Sequence, residues 1–286
     1  MVSTAPTPDA TSRSRRRAFL LPREHGAWGM LLVPLATGAA AGNPHGERFI
    51  GILIFAAAAL GLFFLRTPLE AWLGMSPMHP QNGAERRLIY LSITVYASVA
   101  ALALGALIFS AHAYGLLLLG AAAAMVFLLQ AVLRKLGRKT RMNSQLTGAI
   151  ALSSTAAGAY YLAAGHFGYS AGVIWLANWL FAANQIHFVQ LRIHSARALS
   201  LADKLRQGKG FLLHQVFTLL VLAWIWREGW FPGLVLLAFA PLFARGLAWF
   251  WVSPRPLLVH RLGVSELIYA VVFGMVFIVA FHLPLG

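Results

Sequence analysis

Apolar residues in this chain run in long unbroken blocks rather than in alternation. Nine blocks stand out, at 26–42, 49–65, 88–110, 113–133, 145–164, 169–191, 211–226, 231–250 and 264–283. A helix needs about 20 apolar residues to cross the hydrocarbon core of a bilayer, whereas a barrel strand crosses in about 10. In lipid, only helices and closed barrels satisfy their own backbone groups. The block lengths therefore predict an all-α protein, a polytopic transmembrane helix bundle of about nine spans. The fifth block is rich in small residues, with Gly148, Ala149, Ser153, Ser154, Ala156, Ala157 and Gly158. Small side chains let helices approach closely, so this block predicts a packed central helix.

Between the blocks, long and short connections alternate. The long ones are 66–87, 134–144, 192–210 and 251–263; the short ones lie near 43–48, 111–112, 165–168 and 227–230. This alternation gives the charge its meaning. The chain has 286 residues, with 23 Lys and Arg against 8 Asp and Glu, a net charge of +15. In a soluble protein such a charge would suggest nucleic acid. Here 59% of residues are hydrophobic and mean hydropathy is +0.70, which excludes an ordinary soluble enzyme. The N-terminal tail and the four long connections hold all the Lys and Arg except Arg48, Arg227 and Arg245. Basic residues collect on the cytoplasmic side of membrane helices. The expected topology is N-terminus inside and C-terminus outside, in the cell membrane. The expected partner is the lipid bilayer and not nucleic acid. Trp224, Trp226 and Trp230 fall where an outer aromatic belt belongs, and Trp249 and Trp251 where an inner one does.

Residues 1–21 read as a disordered basic cytoplasmic tail, and 22–286 as a single transmembrane domain. Arg16-Arg17-Ala18-Phe19-Leu20 resembles a twin-arginine export signal. The charged run Arg23-Glu24-His25 interrupts the apolar stretch behind it at once, so a basic anchor is the better reading. There is no cysteine, which excludes disulfides and thiolate metal sites.

Ionisable residues inside a membrane are costly and are the default functional candidates. The eight acids are Asp9, Glu24, Glu47, Glu70, Glu85, Asp203, Glu228 and Glu266. Five of them, Glu24, Glu70, Glu85, Asp203 and Glu266, fall at the cytoplasmic end, so a carboxylate site is expected to open inward. The first constellation is Pro22-Arg23-Glu24-His25-Gly26-Ala27-Trp28. It reads either as an interfacial helix start or as a site with Glu24 and His25 in catalytic roles. Gly26 is expected at a close approach. The second is Arg66-Thr67-Pro68-Leu69-Glu70. Arg66 and Glu70 share a helix face at this spacing, either as a simple ion pair or as an anion-binding Arg beside a catalytic or metal-binding Glu.

The third constellation is the sixth block, with Asn178, Asn184, Gln185, His187, Gln190, Arg192 and His194. Helical geometry puts Asn184, His187, Gln190 and His194 on one face and Asn178, Gln185 and Arg192 on the other. Hydrogen bonding between helices is one account; a polar cavity is the other. Beyond it, Arg197, Asp203 and Lys204 stand in a basic connection that could bind phosphate or anionic lipid. Ser265 and Glu266 are expected to cap the ninth helix.

The opening Pro22-Arg23-Glu24-His25-Gly26-Ala27-Trp28-Gly29-Met30, with Pro34 and Gly38, resembles the YwiC-like family of bacterial membrane proteins. That resemblance implies no established activity. The layout of nine helices, with inner connections after spans two and six, is more remotely similar to the UbiA prenyltransferase superfamily. That similarity implies an isoprenyl diphosphate held by Mg²⁺ on acid-rich motifs. Here the matching spacing reads Arg66-x-x-x-Glu70-x-x-x-Gly74, and only Asp203 is acidic in the second connection. Two Mg²⁺ ions on a diphosphate need more carboxylates than that.

Three functional readings follow. The first is a UbiA-like bundle with an inward-facing polar cavity for an isoprenoid, lipid or quinone-like molecule, either as a binding protein or as a degenerate prenyltransferase. Glu24, His25, Glu70, His187 and His194 would be catalytic. Arg66, Asn184, Gln190, Arg192 and Arg197 would bind substrate, and Glu70 and Asp203 would hold a metal. The second is a transporter lined by span six. The third is a structural subunit, or a haem-binding one using His187, His194 or His214. The substrate, the cofactor and the oligomeric state are not readable from the sequence.

Overall fold

The computed structural model describes residues 15, 19–20, 25–76, 78–137, 140–195, 200–252 and 258–283, with the backbone alone at 25 and 259. Among the described residues all regular structure is helical. Nine α-helices follow in order: α1 (His25–Ala41), α2 (Glu47–Trp72), α3 (Gly83–Phe109), α4 (Gly115–Lys135), α5 (Arg141–Ala164), α6 (Tyr169–His194), α7 (Leu201–Arg227), α8 (Ala240–Trp251) and α9 (Val259–His282). A 3-10 segment, Gly233–Phe239, leads into α8. The nine apolar blocks and the nine helices correspond one to one.

Six helical segments are long and apolar enough to cross a membrane: α2, α3, α4, α7, the stretch Gly233–Trp251, and α9. The other three differ for physical reasons. Helix α1 has only 17 residues. Helices α5 and α6 carry polar residues along their length, and they are also the most enclosed. Fourteen of 24 residues are buried in α5 and 14 of 26 in α6, against Leu116 and Gln130 alone in α4. A helix that meets other helices can carry polar groups, whereas one that meets lipid cannot.

The chain forms two compact units. One takes Leu53–Ala113 with the described tail residues; the other takes His25–Ile52 and Tyr114–Gly286. In the first, Phe19 is buried with Ala71 and Ile89. Arg15 donates from Nε to Glu85 Oε1 at 2.7 Å and from Nη2 to the His79 carbonyl at 2.7 Å. Gly61 lies against the backbone of Tyr96 and Ala100.

In the second unit α5 is central, packed on α1, α4 and α6, while α9 packs on α1 and the 3-10 segment. The small residues of α5 make this possible. A Cβ at Gly38 of α1 would overlap the Ala156 carbonyl of α5. Thr155 Oγ1 donates to the Leu31 carbonyl at 3.3 Å, and Trp175 Nε1 to the Ile150 carbonyl at 3.1 Å. Helix α5 ends at Gly165, whose φ of +83° is the left-handed conformation that glycine adopts freely. Arg48 Nη1 donates to the Ala163 and Ala164 carbonyls there, each at 3.0 Å. A cation at a helix C-terminus complements its dipole.

Two expectations are corrected, at Gly26 and at Ser265 and Glu266. The connections 66–87 and 192–210 are helical in part, because α2 runs to Trp72, with Arg66 and Glu70 on one face as their spacing expects, and α7 starts at Leu201. The cause is capping: Asn82 Oδ1 accepts from Glu85 N at 2.8 Å, and Ser200 Oγ from Asp203 N at 3.1 Å. These caps start helices well outside the apolar blocks. Gly26 makes no close approach, since a Cβ there would meet nothing within 4 Å. Ser265 and Glu266 do not cap α9. That helix begins at Val259, and Ser265 Oγ donates to the Leu262 carbonyl within it, at 2.8 Å.

Candidate functional site: a buried polar centre between α6 and α9

Glu266 lies in the third turn of α9 and is only 3% exposed. Its partner is Arg245 of α8, whose Nη1 donates to Glu266 Oε1 at 2.5 Å. The Arg245 guanidinium carbon stands 4.1 Å from the Phe188 ring centroid and 4.4 Å from that of Tyr269. Both rings offer their π faces to the cation. Gln185 of α6 donates from Nε2 to the Glu266 backbone carbonyl at 2.7 Å. Arg192, two turns further along α6, is within electrostatic range of both Glu266 and Arg245.

Beside the ion pair is an amide pair. Asn184 of α6 donates from Nδ2 to Gln215 Oε1 of α7 at 2.8 Å. The Gln215 amide lies against Gly246, the neighbour of Arg245, where a Cβ would come within 2.5 Å of its nitrogen. One turn away, the imidazoles of His187 and His214 stack, with centroids 4.2 Å apart and planes 9° from parallel.

Hydrogen bonding here is incomplete. Five buried atoms find no partner among the described residues: Asn184 Oδ1, Gln215 Nε2, Arg245 Nε, Arg245 Nη2 and Glu266 Oε2. Buried polar groups are nearly always hydrogen-bonded, because an unpaired one costs about 1–3 kcal/mol. Five on four neighbouring helices form a concentration of binding capacity that the fold itself does not use.

Residues 21–160 match the model of the family described as YwiC-like protein. Over these residues the chain is YwiC-like. The match takes in α1 to α4 and most of α5, so the polar centre on α6 to α9 lies C-terminal to it. No curated protein and no solved structure matches the chain.

The residues expected to form a site fall as follows in this YwiC-like chain. Arg66 and Glu70 form an i,i+4 ion pair on α2, Nε to Oε1 at 2.8 Å, in the first unit. Asn184 and Arg192 belong to the polar centre, with His187 a turn away. Gln190 points elsewhere, donating to Gln145 Oε1 of α5 at 2.7 Å. His194 is exposed at the end of α6, its Nδ1 2.8 Å from the Gln190 carbonyl. Asp203 sits in the first turn of α7, bonded to Ser200 Oγ at 2.7 Å and to Arg206 at 3.4 Å. Glu24, Arg197 and the His25 side chain lie outside the described residues. The polar residues of α6 thus fan out to several neighbours instead of lining one face: Asn178 reaches α1, bonding Thr37 Oγ1 at 2.9 Å.

Among the described residues no three His, Asp or Glu side chains gather as a metal ion would require. The donor set there does not fit a Mg²⁺-held diphosphate. Nor does the histidine pair fit a haem. Axial ligands point at one iron from opposite faces, whereas stacked imidazoles present their nitrogens side by side.

Arg245 and Gln215 join the site although the apolar pattern does not point to them as members, and Glu266 stands inside α9 and not at its end. A single arginine inside an apolar block was the available signal, because such a residue needs a partner in the membrane.

Proposed function

We propose that this YwiC-like protein is a multi-pass protein of the cell membrane that binds an amphipathic small molecule. The ligand class is an isoprenoid, lipid or quinone-like compound, and its head lies at the polar centre of α6 to α9. The observation that carries this reading is the set of five buried, unpartnered donors and acceptors on four helices. Ligand sites in bundles are built between helices, from apolar walls and a few convergent polar groups. Phe188, Phe211 and Tyr269 supply such walls here. Nine helices is also the count that a UbiA-like layout implies, and the ligand class follows from that likeness. The Mg²⁺-dependent transfer does not follow, because the required acids are not gathered.

The test uses the full chain extracted with its native lipid. Small molecules retained by the purified protein are identified by mass spectrometry, alongside the Asn184→Leu/Gln215→Leu variant. The expected result is an amphipathic compound near one per protein in the wild type and depleted in the variant. Identical profiles for the two proteins would overturn the reading.

A further inference from the structure

The guanidinium of Arg245 has two usable edges. Nη1 is taken by Glu266. Nε and Nη2 have no partner among the described residues, and these two N–H groups lie along one edge of the planar group. Together they make the parallel fork that matches two oxygens of a carboxylate or phosphate. The side chain is only 9% exposed, so water does not compete freely for the fork. Contacts with the Phe188 and Tyr269 rings help to hold the guanidinium in place. The amide nitrogen of Gln215, also without a partner among the described residues, lies against Gly246 and is a third donor.

Charge points the same way. Two cations, Arg245 and Arg192, stand near the one carboxylate of Glu266, so positive charge is in excess among the described residues of the centre. Glu266 is the only acid after Glu228 in the sequence, so no further carboxylate on α8 or α9 balances it. Arg245 is the enclosed cation and is paired with Glu266, while Arg192 is only half-buried; the local excess of positive charge favours an anionic ligand.

We infer that the centre takes the singly negative oxyanion head of its amphipathic ligand, a carboxylate or a phosphate, on the Nε–Nη2 edge of Arg245. This rests on the binding reading above and adds the chemistry of the head. A neutral quinone-like or alcohol head is thereby disfavoured.

The experiment uses the full-length protein in phosphatidylcholine nanodiscs, with empty nanodiscs as reference. The probes are palmitic acid, hexadecyl phosphate, hexadecanol and hexadecyltrimethylammonium, followed by acetate and inorganic phosphate without a chain. Binding is read from tryptophan fluorescence and thermal midpoint. The acid or the phosphate ester is expected to bind at least about tenfold more tightly than hexadecanol, and the free anions far more weakly. Equal affinity for acid and alcohol, or preference for the ammonium, overturns the inference and leaves the amphipath reading intact. Failure of every chain-bearing probe overturns both. Free anions that bind as tightly as chain-bearing ones support the oxyanion fork but overturn the amphipathic source. Arg245→Lys keeps the charge but loses the fork, so it is expected to cost about tenfold for the anionic probes and nothing for hexadecanol. Arg192→Gln, at a less enclosed position, is expected to cost about threefold for the same probes. An unchanged preference in these variants also overturns the inference.

Discussion

Loss of one member of the Arg245–Glu266 pair should be far more damaging than loss of both. The two side chains are 9% and 4% exposed, so solvent screening does little to weaken their interaction. Truncating one partner of a buried pair costs about 3–5 kcal/mol, because the other charge is left uncompensated. Arg245→Met and Glu266→Leu are each expected to fall in that range, for a sum near 8 kcal/mol on simple addition. The double variant places two apolar residues at the same positions and desolvates no charge. What it loses is the contact of the guanidinium with Phe188 and Tyr269, about 0.5–2 kcal/mol for each cation–π contact. The Gln185 bond survives, because it goes to the Glu266 backbone. A double-variant cost near 2 kcal/mol is therefore expected, and a coupling of several kcal/mol between the sites. Reversible unfolding in mixed micelles, followed by tryptophan fluorescence, measures all four corners of the cycle. If the double variant costs as much as the two singles combined, the residues are not a buried pair and the polar centre is wrongly drawn.

Other consequences concern packing and orientation. Gly38→Ala should cost about 1–3 kcal/mol in the same assay, since the new methyl meets the Ala156 carbonyl and two helix backbones must part. Gly120→Ala meets nothing within 4 Å and should stabilise α4 by about 0.5–1 kcal/mol, the usual gain over glycine in a helix; equal effects at the two sites would contradict the α1–α5 packing. Arg48→Met should cost about 1–2 kcal/mol by leaving the Ala163 and Ala164 carbonyls without their cation, and an unchanged midpoint would refute that role. Because the chain has no native cysteine, single cysteines report orientation cleanly. His166→Cys should react with an impermeant thiol reagent from outside intact cells, and Leu136→Cys should not; the reverse would overturn the expected orientation.

How far the sequence could be read depended on which physical quantity each feature reports. Apolar blocks report where a helix can lie in lipid, and they located all nine helices. They do not report where a helix begins. That is decided by hydrogen bonds at its first turn, so Asn82 and Ser200 start α3 and α7 well ahead of their apolar blocks. The small residues of block five were legible as a packed helix because closeness needs small side chains wherever the partner lies. The polar residues of block six were visible, but not their partners. A 100° rotation per residue sorts Asn184, His187 and Gln190 onto a common side, yet α7 meets the first two and α5 the third. Which neighbour stands at which angle is a property of the packed bundle.

Glu266 carries the same point into the chemistry. By the apolar pattern it stands at a boundary, where a carboxylate is cheapest, and a boundary acid reads as a cap. What makes a deeper position tolerable is a cation on another helix, and Arg245 lies 21 residues away in sequence. Each residue alone contradicts the membrane reading of its block, and only as a pair do they agree with it. Two isolated exceptions in adjacent apolar blocks, one of each sign, should therefore be read together before either is placed at an interface. Their mutual neutralisation is what lets both stand inside otherwise apolar blocks. It also leaves the second edge of the arginine as the strongest unused donor in the described bundle.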